Sequence, residues 1–454
     1  MSLQSHLQRT GFLFNDDNVI DLYLSLKTSP LTIFTGISGS GKTKLAQYFT
    51  EYLVTPAHPV TVTGIPTPTP SIEKHRYAFV SVRPDWLDNK GILGYYNPLL
   101  GVYSITPVLQ LVLNAIQEPT EPFFLILDEM NLAKAEHYFS DFLSALESRR
   151  YSPVTGLYET ETISLHNAGS RVISKNYSDS NDKLNAVLEM NSFPDDYYVY
   201  VSPTSERKYF VPENILIPPN LYVIGTVNID ESTYRFSPKV IDRSHAIEMN
   251  GATAEEYVAY LTGATTPPTT PTLYSSLNFN VNDFTHGHLF ISSRNESAIL
   301  GDGTLNQVIL QKTITHLGGL LTNSPFRFSY RTTNRLIQFV GNGKELWDNS
   351  HITFDDNSLL YLLDSAILLK VLPRLHGQRR VLEPLLRNIL YFCHSIFNDG
   401  HYTDILNGNV PNDLQGIELQ PFNKSIYRFP RTAHSISRVF NSLVKDNSNY
   451  GSFI

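Results

Sequence analysis

The chain has 454 residues, 41% hydrophobic and 17% charged, which fits a globular protein of two or three domains and not a disordered or fibrous one. The single cysteine, Cys393, excludes an intrachain disulfide and a cysteine-cluster metal site, and a net charge of -8 leaves any nucleic-acid contact to a local patch or a partner. Residues 1–20 carry Gln, His, Arg and Asp where a secretory leader would be apolar, and no apolar run reaches the roughly 18 residues of a membrane span, so a cytoplasmic protein without membrane segments is expected.

Val19, Leu22, Tyr23 and Leu26 recur at the spacing of one packed helix and predict an N-terminal helix within 1–30, with no room for a separate recognition domain before the next element. An α/β core is expected over 31–250. There the strand LTIF leads to a helix from about residue 41, and the strands YAFVSV, PFFLILD and NLYVIGTVN follow with helices between, the pattern of a parallel sheet. Two Thr/Pro-rich tracts, 55–71 and 264–272, cannot be helix interiors or central strands and read as loops or linkers. The second falls in a predicted linker, 251–283. Residues 151–217 are rich in Tyr, Ser, Asn and Asp, with strand-like VYVS and KYFVP, and read as an inserted β-hairpin or loop module. From about residue 300 the periodicity turns helical, in LNQVILQKTITHLGGLL, TTNRLIQFVG, NSLLYLLDSAILLKVLPRL and LEPLLRNILYFCHSIF. An all-helical second domain over 284–400 and a helical C-terminal region over 401–454 are therefore expected.

Within this frame GISGSGKT at 36–43 fits G-x-x-x-x-G-K-[ST] between a strand and an amphipathic helix. Gly36, Ser38, Gly39, Ser40 and Gly41 would turn backbone N–H groups toward a phosphate, Lys42 would neutralise the β and γ oxygens, and the Thr43 hydroxyl would ligate Mg²⁺. PFFLILDEMN ends an apolar strand on two carboxylates. Asp128 is positioned to hold the Mg²⁺ water shell and Glu129 to polarise an attacking water. NLYVIGTVN delivers Asn228 at a strand end, to orient the lytic water or the γ-phosphate, or simply to end the strand in an Asx-turn. Ser237 and Pro238 look like the start of a short helix that carries Arg243, either a solvated surface arginine or a finger for a neighbouring subunit's nucleotide. Arg235 has no role in this reading. Arg331 and Arg335, at i and i+4 on a later helix, are either surface charge or a contact to nucleotide within the chain. Arg374, His376, Arg379 and Arg380 form a basic cluster without a single reading, and Tyr95 and Tyr96 either pack in a loop or line a pore.

Taken in order, GISGSGKT, LILDEMN, GTVNIDES and SPKVIDR resemble the P-loop, Walker B, sensor 1 and arginine-finger segments of AAA+ ATPases. More narrowly, the chain resembles the McrB-like branch, the motor subunits of modification-dependent restriction systems, grouped with dynein-related and MoxR-like proteins. VSVRPDWLDNKGILGYYNPLLGVYSITP, DEMNLAKAEHYFSDFLSALESR, FRFSYRTTNRLIQFV and LLKVLPRLHGQRRVLEPLL carry the likeness over roughly residues 20–450, least in 151–210 and 252–320. The resemblance implies a hexameric ring that hydrolyses Mg²⁺-bound ATP or GTP at subunit interfaces. It implies Lys42 and Thr43 on phosphate and Mg²⁺, Asp128 supporting the metal, Glu129 as base, Asn228 as sensor 1, Arg243 as the finger acting across the interface and Arg331 as a sensor-2 candidate. It further implies a separate McrC-like nuclease subunit, with DNA reached through that partner or the 151–217 insertion; a MoxR-like remodeller of proteins is the alternative. VNIDES stands where the McrB pattern associated with GTP reads MNTADR, so both nucleotides stay open.

Overall fold

The computed structural model describes residues 3–8, 10–12, 14–54, 76–152, 157–174, 197–200, 207–229, 234–251, 254–262, 276–284, 296–327, 329–444 and 448–453. Both Thr/Pro-rich tracts, the middle of the 151–217 segment and Asp230 to Ser232 of VNIDES lie outside the described residues.

Five strands form one wholly parallel sheet: β1 (Leu31–Gly36), β2 (Tyr77–Ser81), β3 (Phe123–Asp128), β4 (Leu221–Asn228) and β5 (His245–Glu248), in the order β5-β1-β4-β3-β2. The three central strands are apolar almost throughout because helices cover both faces. Alternation sorts their side chains between two cores. Phe34, Phe124, Ile126, Tyr222 and Ile224 face α1 (Asp16–Thr28) and α2 (Lys42–Val54), while Ile33, Leu125, Leu127, Val223 and Val227 face α3 (Pro107–Gln117) and α4 (Ser140–Ser148). Local signals start these helices: Asn15 caps α1 by accepting from the Asp17 N–H at 2.9 Å, and Thr106 caps α3 ahead of Pro107. The edge strand β5 and α3 are elements the sequence reading did not isolate. A four-residue strand carries too little periodicity, and α3 sits inside a stretch read only as a connection between strands.

Residues 150–216 contribute short antiparallel pairs. Arg150–Ser152 pairs with Leu157–Glu159, Thr162–Ser164 with Asn214–Leu216, and Arg207–Val211 lies between Tyr198–Tyr200 and Val172–Ile173. A small hairpin, Tyr95–Asn97 with Val102–Ser104, precedes α3. Its tip exposes Leu99 almost completely, while Tyr96 rests on the His166 ring.

Beyond residue 296 the described structure is almost entirely helical: α5 (Gln307–Leu321), α6 (Tyr330–Asn349), α7 (Asp356–Lys370), α8 (Arg379–Cys393) and α9 (Pro430–Val444), with shorter turns between. The helical part grips the core through α1. Asn342 on α6 donates to the Thr28 hydroxyl at 3.0 Å, Tyr361 on α7 donates to Asp17 at 2.8 Å, and Arg431 on α9 pairs with the buried Asp21. Among the described residues no helix is long and apolar enough to cross a membrane.

Candidate active site

The loop 36–43 leaves the carboxyl end of β1 and enters α2. Gly39 and Gly41 have φ of +78° and +89°, the left-handed region glycine adopts at no steric cost, so the loop can curl its backbone N–H groups inward. Gly36 is required for a second reason: a Cβ there would meet the Met249 carbonyl oxygen. Lys42 is buried, and its Nζ donates to the Gly36 and Ile37 carbonyls at 2.9 and 2.6 Å, folded back over the loop.

Strand order brings the carboxylates to this loop. β4 separates β1 from β3, and its register sets Asn228 beside Gly36, while Asp128 ends β3 one strand further on. The Thr43 hydroxyl donates to Asp128 Oδ1 at 2.7 Å, and the Thr226 hydroxyl donates to the same oxygen at 2.7 Å. Thr226 Oγ1 also accepts from the Glu129 N–H at 3.0 Å, and the Thr226 carbonyl accepts from the Met130 N–H at 2.8 Å. Thr226 therefore fixes both carboxylate-bearing residues to β4. Sequence reasoning missed it, although its position two residues before Asn228 puts both side chains on one face of the strand. Glu129 has φ of +53°, a left-handed backbone that a long side chain rarely adopts. That turn aims the carboxylate back at β4, where Asn228 Nδ2 donates to Glu129 Oε1 at 3.4 Å. Thr43 and Asp128 converge as hard oxygen donors and fit a Mg²⁺ that takes its remaining ligands from phosphate and water. Phe14 approaches Gly41 and joins Phe12 and Tyr48 in an aromatic group beside the loop, also unforeseen.

The predicted arginines gather elsewhere. β5 runs parallel to β1 with His245 opposite Thr32, so Arg243 lies where β1 begins, and its carbonyl accepts from the Ser29 hydroxyl at 3.0 Å. Six residues at about 3.3 Å each put the loop about 20 Å away, at the other end of β1. Arg243 pairs with one oxygen of Glu147 on α4 and Arg331 with the other, and Arg331 Nη1 lies 3.6 Å from Asp242 Oδ2. Arg331 is thus brought to Arg243 and not to Lys42. Arg335 points to the Thr28 carbonyl, and burial pushes its guanidinium down to about 10. The 374–380 cluster disperses. Arg374 Nε contacts Asp242 at 3.2 Å and its Nη1 donates to Thr332 at 2.7 Å, Arg379 pairs with Glu383 at 2.9 Å, and His376 packs near Phe326. Arg235 stacks on the Tyr450 ring at 4.4 Å, beside a cavity of about 620 Å³ that Asn228 also lines.

The sheet order, the glycine loop on β1 and the acidic end of the strand beyond β4 make up an α/β core of the AAA+ P-loop type, followed by a helical region. Residues 292–448, in the helical part, match the family described as "Domain of unknown function (DUF8727)". No curated protein matches the chain. Among solved structures it is similar to a candidate ATPase from Cytophaga hutchinsonii, at 12% identity over 82% of this chain and 87% of that one, with a TM-score of 0.39. A superposition that loose adds nothing to the topology.

Proposed function

We propose that the chain is a cytoplasmic AAA+ nucleoside triphosphatase that works as a ring, taken as a hexamer, with Mg²⁺-bound ATP or GTP at each subunit interface. The observation that carries this reading is the separation within one chain of two half-sites. Lys42, Thr43, Asp128, Glu129 and Asn228 sit at one end of the sheet, and Arg243 and Arg331 sit about 20 Å away at the other. A finger at that distance cannot serve its own loop, and a second copy supplies what each half lacks.

In this mechanism the N–H groups of the loop and the Lys42 ammonium hold the β and γ phosphates. Thr43 and Asp128 would hold a Mg²⁺, which would supply positive charge beside the phosphate oxygens. Asn228 and Glu129 orient a water in line with the γ-phosphorus. As the water oxygen bonds to phosphorus, the bond to the β–γ bridging oxygen breaks, and Glu129 accepts the water proton. Arg243 of the adjacent subunit, with Arg331 beside it, stabilises charge on the transferring group. Phe12, Phe14 and Tyr48 offer a flat surface for the base.

The McrB-like resemblance supports a motor role in a restriction complex with a separate McrC-like nuclease subunit, DNA being reached through that partner or the 151–217 insertion. The exposed, uncharged hairpin tip at Leu99 and Leu100 favours the second reading, a MoxR-like remodeller that grips protein. Arg243→Ala should still bind nucleotide but lose turnover by about 10³-fold, with ATP and GTP hydrolysis measured alone, with DNA and with an unfolded protein. Undiminished turnover would remove the finger, and stimulation by unfolded protein but not DNA would favour the remodeller.

A further inference from the structure

The end of the sheet that carries Arg243 lines an open-sided cavity of about 440 Å³ between core and helical part. Its cationic lining is Lys27, Arg149, Arg150, Arg243, Arg331 and Arg335, and among the described lining residues Glu147 alone is acidic. Three of these six cations are engaged outside the cavity, and Arg335 is held by two residues of its wall. Lys27 pairs with Asp283 at 2.6 Å, Arg150 with Glu159 at 2.8 Å, Arg149 donates to the Leu221 carbonyl at 3.0 Å, and Arg335 donates to Thr28 and to Gln338. Arg243 and Arg331 share Glu147, one guanidinium on each oxygen. Arg243 Nε is buried without a hydrogen-bond acceptor, so the carboxylate leaves part of this guanidinium unsatisfied.

Two guanidiniums converging on one small planar anion form a fork that a phosphate fills better, because a phosphate offers a third oxygen and more charge. We propose that Glu147 is an internal stand-in for phosphate: it holds Arg243 and Arg331 in the free subunit and is displaced from them by the triphosphate of a second copy. This rests on the reading of Arg243 as serving a neighbour. Glu147 is then a positioning residue that sets how much nucleotide is needed before subunits associate. Its charge competes with the incoming phosphate, while its two oxygens keep the two arginines side by side.

Full-length Glu147→Gln keeps the shape and removes the competing charge. Sedimentation velocity against ATP and GTP with Mg²⁺ should place half-assembly at roughly tenfold lower nucleotide than in the wild type, the size of one charged hydrogen bond. Calorimetry on the unassembled chain should show tripolyphosphate bound roughly tenfold more tightly. Adding Arg243→Ala to E147Q should cancel both effects. Glu147→Asp, too short to bridge both arginines, should shift both readouts in the same direction by less, and it carries the test if E147Q does not fold. Assembly of the variants at unchanged or higher nucleotide, with unchanged tripolyphosphate binding, would overturn the proposal and leave the ring reading intact. A wild type that never assembles, alongside tighter, Arg243-dependent tripolyphosphate binding in E147Q, would overturn the ring reading and keep the anion site.

Discussion

Glu129 shows what the candidate site demands of a single residue. Its left-handed backbone costs on the order of 1 kcal/mol, and the strain is held by the Thr226 hydroxyl and carbonyl, which take the N–H groups of Glu129 and Met130. Asn tolerates that backbone conformation better than Glu. Glu129→Asn should therefore raise unfolding stability by up to about 1 kcal/mol in a urea titration while hydrolysis is lost, the trade expected where chemistry and not packing chose the residue. A variant that hydrolyses normally, or that is clearly less stable, would separate Glu129 from the role given to it. The residue types of this site were legible because each stands in a short motif. The strain, and Thr226 as the common tether, were not: a φ angle leaves no mark on composition, and Thr226 reads as an ordinary strand residue until its hydroxyl meets Asp128.

At the level of elements, α6 packs between the core and the rest of the helical part, against α1 on one side and α7 on the other. Gly341 and Gly343 sit in its interior, where glycine costs about 1 kcal/mol relative to alanine. The close approach of neighbouring elements explains them: a Cβ on Gly343 would come within 2.5 Å of Leu362 Cδ2 on α7, and one on Gly341 would press Ile299. Gly343→Ala should therefore destabilise the chain by about 1–3 kcal/mol, overpacking outweighing the helix-propensity gain, as read from the urea midpoint. A stabilised variant would show that α6 and α7 separate easily. TTNRLIQFVG was readable as helical from its periodicity. Which face it buries was not, because Arg331 and Arg335 look like solvated charge until the helix is laid against α1 and Glu147.

Across the whole molecule, the junction of the two parts closes around His245, which is fully buried in β5. Burial, with Lys370 and Arg335 nearby, holds its imidazole well below the ordinary 6.5, so it stays neutral in the folded chain. The unfolded chain takes up that proton below about pH 6.5, so stability is full above this value and falls with pH by at most about 1.4 kcal/mol per unit. His245→Leu should remove that share of the slope between pH 6.5 and 5.5 in paired urea titrations; equal slopes would mean that His245 does not titrate across unfolding. The sequence by itself determined the α/β class, the helical second half and the loop, acid and asparagine motifs, because each is written in contiguous residues whose period or spacing meets one backbone geometry. Only the tertiary structure decided that β4 lies between the loop and Asp128, that Arg331 joins Arg243 on Glu147, and that Arg235 stacks on Tyr450. Those arrangements join residues far apart in the chain, and the free energy that selects them comes from burying shared surface, to which no single segment is a guide.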